Sequence, residues 1–504
     1  MNNIFLGIII CFKDIKIMKK EVIHNKLAKI CSSKNISDDP KTLKIFSEDM
    51  SFTEGYMPDY VVWPSKTQEI EKILKLANNL NFSVIPVSSS SIFKHHGDTI
   101  PKKENCIILN LSKMRKILSI DKKNRVLMVE PGVTFDDIIS KLKEKGLRLL
   151  MPLLPTGTKS IVTSALEREP ITIPRYHWDS SDPLLCTEVV FGTGDLFRTG
   201  TAAGPGTFKE QQKVGIAYVN PMGPTQFSPF RVIQGAQGSL CIVTWATLKL
   251  ELLPSTQRVF HYQSENIQEL LDFQHELIKY RLCDETFILN NLCLASLLEN
   301  TTQKIENLAN SALKWNLIYV ISGRGKLSDD KLAYLEGDIN DILKQIKLEH
   351  LNRESIIDKS KIIEFVSQTT SYPWRCNYKG GYQDIFFISQ FEKIPEYISL
   401  VESNKWKDLG IYIQPINQGT SYHCEFNLFY DPNDPDLSNN LGNIFLEISR
   451  NLMDKGAFFN RPYGLWAKEV YKRHSDQTQV ALKKLKKIFD PNNILNPGVL
   501  CYDN

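Results

Sequence analysis

Two short segments in the second half of the chain carry side chains that could move a proton or hold an anion. His423 and Glu425 occur as His-Cys-Glu, so an extended strand would project both from one face. Such a pair suits a base with its orienter, two metal ligands, or a plain hydrogen-bonded polar pair. No third ligand of clear spacing accompanies it, so no metal site is expected. Arg461-Pro462-Tyr463-Gly464 joins a fixed cation to a phenol on a stiff turn. That arrangement could orient a carboxylate or a phenolate in a pocket, or end in a surface ion pair.

Three other segments could admit a ligand close to the backbone. Ser88-Ser89-Ser90-Ser91 follows an apolar run and precedes Gly97, and short hydroxyl side chains let a phosphate approach backbone N–H groups. Residues 152–160 (PLLPTGTKS) form a second small-residue loop. Together the two could clamp one pyrophosphate, or each is a surface loop. Neither GxGxxG nor GxxxxGK[ST] occurs, so the dinucleotide-fold and P-loop readings do not apply. Gly235 and Gly238, in the run GAQGSLCIVT, permit close approach of a planar ligand, or mark a glycine bulge.

The elements that must position these residues have an alternating α/β texture from Pro58. A helix is expected over 67–81, with Ile70, Ile73, Leu74, Ala77 and Leu80 at helical spacing. Strands are expected at 83–87, 106–111 and 125–130, then a helix presenting Phe135, Ile138, Ile139 and Leu142 and ending near Gly146. Gly192-Thr193-Gly194-Asp195 signals a hairpin, and 239–252 reads as a long strand. After Pro254, helices at 266–281, 328–347 and 437–455 alternate with strands at 316–321, 384–389 and 411–416, which suits helices on one face of an antiparallel sheet. The expected division is a lead-in at 1–57, a first domain at 58–254, a cap at 255–455, and a tail at 456–504 returning to the first domain.

Composition narrows the class. With 61 Lys+Arg against 57 Asp+Glu, a net +4 over 504 residues gives no basic surface for nucleic acid or membrane. The ten cysteines never form CxxC, which suits reduced thiols in a cytoplasmic protein and argues against an iron–sulfur cluster. Residues 4–12 are strongly apolar but too short to span a bilayer. Residues 1–17 are accordingly expected to be a dispensable extension.

Four stretches in order carry a resemblance: Arg125–Phe135 (RVLMVEPGVTF), Thr187–Gly200 (TEVVFGTGDLFRTG), Gly235–Thr244, and the terminal DPNNILNPG. The chain resembles, over about Pro58 to Leu500, the FAD-dependent oxidoreductases with a PCMH-type flavin domain, the vanillyl-alcohol oxidase superfamily. Ala165-Leu166-Glu167-Arg168 and Tyr176-His177-Trp178-Asp179 are similar to the 4-alkylphenol oxidising branch, which holds vanillyl-alcohol oxidase and the 4-cresol dehydrogenase flavoprotein. The implied fold is α+β: a PCMH-type FAD-binding domain of two α+β subdomains, plus an antiparallel-sheet α+β cap.

What the resemblance implies is FAD held noncovalently between the subdomains, its ring toward the cap. The first loop (Ser88, Ser89, Ser90, Ser91, His96, Gly97) would bind it together with Pro131, Thr156, Gly157, Thr158, Ser160, Thr163, Ser164 and Glu167. His177, Gly235, Gly238, Ile242, Val243 and Asn496 complete the cofactor set. Arg461 falls where the phenol oxidases hold the phenolate oxygen, and Tyr463, His423 and Glu425 complete the catalytic group. His423 or Tyr463 would take the hydroxyl proton. The departures are the serines in place of a Gly-rich loop, Pro155 where the phenol oxidases carry an aspartate, and Asn460 where a tyrosine is expected. Neither His95 nor His96 matches a tethering position. The reaction implied is hydride transfer to flavin N5 from an aromatic or phenolic alcohol or an alkylphenol. A 2-hydroxy acid (glycolate or D-lactate type) is the alternative substrate, and a flavin-binding subunit without turnover is the other alternative. Partners would be the small-molecule substrate and an electron acceptor (oxygen, a cytochrome or an electron-transfer protein), and the chain could form a homodimer.

Overall fold

The computed structural model describes residues 20–89, 92–174, 183–216, 218–223, 229–351, 357–404 and 406–502. Three sheets organise them. The first has the order β1-β2-β4-β3, from β1 (Ile36–Ser37), β2 (Tyr60–Val62), β3 (Ser83–Val87) and β4 (Cys106–Asn110). β4 runs parallel to both β2 and β3. The runs SVIPV and CIILN are almost wholly apolar because parallel strands are covered on both faces. The helix Thr67–Leu80 crosses between β2 and β3, burying Ile70, Ile73, Leu74 and Ala77 against Tyr60, Val84 and Ile107. Asn81, at φ 54°, ends it in the left-handed region that asparagine tolerates.

The second sheet is antiparallel. Its order is β5 (Ile117–Asp121), β6 (Val126–Val129), β10 (Cys241–Leu252), β8 (Leu184–Phe191) and β9 (Leu196–Arg198), with β7 (Leu147–Leu149) paired to the far end of β10. The hairpin at 192–195 joins β8 to β9 as the turn residues predict. Phe135, Ile138 and Leu142 of the helix Phe135–Glu144 enter the core of this sheet.

The third sheet is also antiparallel, with the order β11-β13-β12-β15-β16-β14. Its strands are β11 (Thr256–Ser264), β12 (Glu285–Asn290), β13 (Trp315–Gly323), β14 (Gly381–Ser389), β15 (Leu409–Ile416) and β16 (Ser421–Tyr430). The helices Ile267–Lys279, Ser328–Gln345, Ile394–Ser403 and Pro435–Asp454 share one core with the side chains of one sheet face, among them Ile385, Phe387, Ile413, Cys424 and Phe426. The α+β class and its cap sheet stand as read. β11 and β12 were not expected as strands. β12 opens on Glu285, a charge that argues against a buried strand until its partner is found. That partner is Arg148 on β7, whose Nη1 donates to Glu285 Oε1 at 2.6 Å across the junction of the second and third sheets.

The tail closes back on the first sheet. Val84 N donates to Ile494 O at 2.7 Å, and Asn496 N donates to Val84 O at 3.0 Å, beside the strand that feeds the serine loop. Lys486, 4 % exposed, donates to Ser239 O, Asp490 Oδ2 and Leu495 O, so a buried ammonium holds the terminal DPNNILN run. The nine described cysteines are all buried, and burial pushes the Cys106 and Cys241 thiols up to about 12. No helix among the described residues is long and apolar enough to cross a membrane.

Candidate active site

The two small-residue loops meet. Ser88 Oγ hydrogen-bonds Thr163 Oγ1, and Ser160 N donates to Ser89 Oγ at 3.0 Å. Ser160 Oγ donates to Pro131 O at 2.6 Å, tying in the turn after β6. A single cavity opens along this seam and continues to the cap sheet. Of the cofactor residues expected from sequence, Ser88, Ser89, His96, Pro131, Thr156 and Thr163 line it. So do Glu167, Gly235, Gly238, Ile242 and Val243. Ser90, Ser91 and His177 lie outside the described residues.

Six expected residues do not line the cavity. Gly157 turns its N–H to Thr370 O at 2.9 Å, and a Cβ there would lie 2.0 Å from Asp136 Oδ1, so this glycine serves loop packing. Gly97 faces Thr53 and donates its N–H to Asp49 at 2.8 Å. Thr158 is exposed. Ser160 and Ser164 spend their hydroxyls on Pro131 O and on Glu169 Oε2. Asn496 Nδ2 bridges Asp98 O and Gln237 O, both at 2.7 Å, and so supports the walls from behind. Gly157→Ala should destabilise the chain by about 1–3 kcal/mol through overpacking. Asp136→Ala in the same chain should relieve most of that, and urea unfolding of the double-mutant cycle reads both.

The cap end of the cavity follows from strand alternation. In β14 the residues Tyr382, Asp384 and Phe386 share one face, as do Tyr412 and Gln414 in β15, and His423, Glu425 and Asn427 in β16. The register sets Phe386 and Tyr412 opposite Glu425, and Gln414 opposite His423. The intervening Ile385, Phe387, Cys424 and Phe426 face the helices.

Glu425 is held by Arg375, which donates Nε to Oε1 at 2.5 Å and Nη2 to Oε2 at 3.0 Å. Asn427 Nδ2 donates to Oε1 at 2.8 Å, and His423 Nε2 stands 3.3 Å from Oε2. Burial alone would raise this carboxyl, but the guanidinium and His423 outweigh it and bring its pKa down to about 2. Burial lowers the pKa of His423, and Arg461 and Arg375 lower it further against the pull of Glu425. His423 is therefore neutral at pH 7. With Nε2–H donated to Glu425, its Nδ1 is the nitrogen with a lone pair.

Arg461 is 6 % exposed, with its guanidinium carbon 4.1 Å above the Phe386 ring. It has no ion-pair partner among the described residues, and its buried Nε makes no hydrogen bond. Two flavin-domain side chains fix its turn: Arg168 Nη2 donates to Asn460 O at 2.7 Å, and Gln237 Nε2 donates to Pro462 O at 3.0 Å. Tyr463 stacks on His96 at 4.4 Å. Burial, with Glu167 nearby, pushes its phenol well above the ordinary value, so Tyr463 stays protonated. Of the two proton acceptors expected, only His423 is in the right state. Carboxylates do line the cavity despite Pro155: Asp98, Glu167, Glu169 and Asp384. The sequence reading missed Arg375, Tyr382, Asp384 and Tyr412. Alternating polar and aromatic positions in 381–389 and 409–416 were the available signal.

This site fits FAD by its donor set. Hydroxyls of Ser88, Ser89, Thr156 and Thr163 offer donors for a pyrophosphate, and apolar Leu111, Val162, Ile242 and Val243 offer a flat wall for a ring. The comparisons agree. Residues 58–200 match the FAD binding domain family, and residues 463–500 match the C-terminal domain of FAD linked oxidases. The chain therefore carries an FAD-binding domain together with a C-terminal segment like that of FAD linked oxidases. Its fold is similar to that of p-cresol methylhydroxylase with substrate bound, at a TM-score of 0.80 and 18 % identity, covering 95 % of this chain and 96 % of that one. Among curated relatives, it is 26 % identical over 266 residues to glycolate oxidase subunit GlcD of Bacillus subtilis, 52 % of each chain. It is 26 % identical over 155 residues to the 4-cresol dehydrogenase [hydroxylating] flavoprotein subunit of Pseudomonas putida, 30 % of this chain and 29 % of that protein. The chain thus spans about half the length of the first relative and under a third of the second.

Proposed function

We propose that this chain oxidises a small aromatic alcohol or alkylphenol that presents an anionic oxygen to Arg461, passing the electrons to FAD and then to an external acceptor. The observation that carries this reading is the state of Arg461: a buried cation with no salt bridge among the described residues and only the longer-range field of Glu169 to offset it, lying on an aromatic ring in a cavity that also holds Tyr382, Tyr412, Trp374 and Tyr463. A buried guanidinium left unpaired is costly, and an anionic ligand removes the cost. Arg375, a second cation at the cavity, is already neutralised by Glu425. Rings on the walls favour an aromatic substrate over a small 2-hydroxy acid, which would need only the cation.

When bound, FAD supplies the hydride acceptor for the oxidation. The chain's own groups do the rest. Arg461 fixes the anionic oxygen and so the orientation of the ring. Tyr463 donates a hydrogen bond from its protonated phenol. Glu425, held ionised by Arg375, orients His423, whose Nδ1 takes the hydroxyl proton of an alcohol substrate. Reconstitution with FAD followed by an anaerobic screen of phenolic alcohols, alkylphenols and 2-hydroxy acids tests this. Bleaching of the flavin by a phenolic compound is the expected result. Bleaching by 2-hydroxy acids alone would move the substrate to the acid class. A chain that binds FAD and is reduced by neither class would be the flavin-binding subunit without turnover.

A further inference from the structure

The proposed reaction leaves unused an arginine that lies behind the cavity wall. Arg168 follows the helix Ile161–Leu166 and sits at φ 55°. Glu169 N donates to Ser164 O at 3.2 Å, which closes the helix end around Arg168 at a place where glycine is usual. An arginine held in the left-handed region there needs a compensating gain. Glu167 and Glu169, on either side of it, line the cavity and both turn to Lys159 Nζ, at 2.8 and 2.7 Å. The Arg168 guanidinium instead enters the seam between the glycine turn at 235 and the tail.

Three segments meet on that guanidinium. Nη2 donates to Asn460 O at 2.7 Å, one residue before Arg461. A Cβ on Gly235 would stand 2.6 Å from the same Nη2 and 3.3 Å from the guanidinium carbon, so the absent side chain makes room for it. Gly235 N in turn donates to Leu166 O at 2.8 Å. Arg168 Nε is buried without a hydrogen bond, as Arg461 Nε is, and neither guanidinium has a salt bridge among the described residues.

The charge is more than the hydrogen bond requires. Pro462 O, in the same turn, is held at 3.0 Å by a neutral amide, Gln237 Nε2. At Asn460 O the chain instead uses a second cation, and burial first and Arg461 next pull its pKa below the ordinary guanidinium value. Like charges brought together inside a protein raise the potential that an anion meets at either of them. The groups facing the two arginines are Tyr463, Tyr471, His423 and Glu169. Burial keeps both phenols protonated and His423 neutral. Glu169 shares its charge with Lys159, and one carboxylate so shared does not balance two guanidiniums.

We propose that Arg168 is a positioning residue that fixes the turn before Arg461 and adds its own charge behind it, so that a phenolic substrate is held as its anion. The inference rests on the reading of Arg461 as the anion holder and extends it to a residue that does not touch substrate.

The test uses the FAD-loaded chain and 4-nitrophenol, which has no benzylic carbon to oxidise and whose visible absorption marks the phenolate. Difference spectra over a pH series give the affinity for each form and the apparent pKa of the bound phenol. In the wild type that pKa should fall below its value in water. Arg168→Gln keeps an amide donor and drops the charge. It should weaken phenolate binding by about tenfold and raise the bound pKa by about one pH unit, with affinity for the neutral phenol unchanged. Arg168→Lys should keep most of the wild-type preference. A purely structural clamp predicts instead that both forms lose affinity alike and the bound pKa stays put. That result, with wild type and Arg461→Ala behaving as proposed, overturns the role of Arg168 alone. If the wild type binds phenolate no more tightly than phenol, or Arg461→Ala binds it as the wild type does, the reading of Arg461 falls and this proposal with it. If the glutamine variant does not fold, Arg168→Lys decides: a lowered bound pKa supports the charge, and a phenol ionising there as in water overturns it.

Discussion

Arg461→Ala should lower kcat/KM on the true substrate by about ten- to a hundredfold, the equivalent of roughly 1.5–3 kcal/mol for a hydrogen bond to a charged group. Arg461 is buried over Phe386 without a salt bridge among the described residues, so its truncation removes a ligand contact and breaks no internal ion pair. Arg461→Lys should recover only part of the loss, because an ammonium presents no planar fork. FAD content, read by acid release and chromatography, should stay at wild type. The turn itself is held by Arg168 on Asn460 O and Gln237 on Pro462 O, contacts made to backbone oxygens that the substitution leaves in place. A normal kcat/KM in the alanine variant would return Arg461 to a purely structural role. Loss of FAD would instead assign the tail to cofactor retention.

Arg375→Ala should be the more damaging change to the fold, by about 3–5 kcal/mol, since it strands the buried Glu425 carboxylate without its guanidinium. Arg375→Ala combined with Glu425→Gln should recover much of this, because no buried charge is then left unpaired. Urea unfolding of the four chains closes the cycle. The same pair predicts an acid sensitivity. Glu425 titrates at about 2 in the folded chain, below its ordinary carboxyl value in the unfolded one. Its stabilising contribution is therefore complete above about pH 4.5 and is lost as pH falls toward 2. Glu425→Gln should flatten that part of the stability profile. An unchanged acid limb in the variant would assign the sensitivity to other carboxylates.

Much of the element order was legible from the residues alone, and the class of ligand only through the resemblance they carry. Ile70, Ile73, Leu74 and Ala77 announce the crossover helix through a 3.6 period, and SVIPV announces a strand covered on both faces, because periodicity and burial are local properties of the chain. The two small-residue loops, the 235–244 run and the DPNNILNPG tail are local too, but it is the resemblance they carry to a flavin-dependent family, and not their spacing, that implies FAD. Which charges are neutralised inside the protein follows from long-range contacts that the chain order does not reveal. Nothing near Arg375 in sequence reveals that Glu425, 50 residues on, neutralises it, while Arg461 forms no salt bridge among the described residues. Glu285 sits in a buried strand because the fold supplies Arg148 from 137 residues away. Gly157 lies in a small-residue loop that could face a phosphate, and the packing of Asp136 against it closes that side. Tyr463 and His423 are both proton-bearing side chains on paper. Burial raises the pKa of the phenol and lowers that of the imidazole, so their protonation states part only once both are inside the fold. The meeting of Arg168 with Asn460, 292 residues on, rests on the return of the tail to the flavin domain. Such long-range pairings leave no periodic trace in the chain, because periodicity reports only local burial.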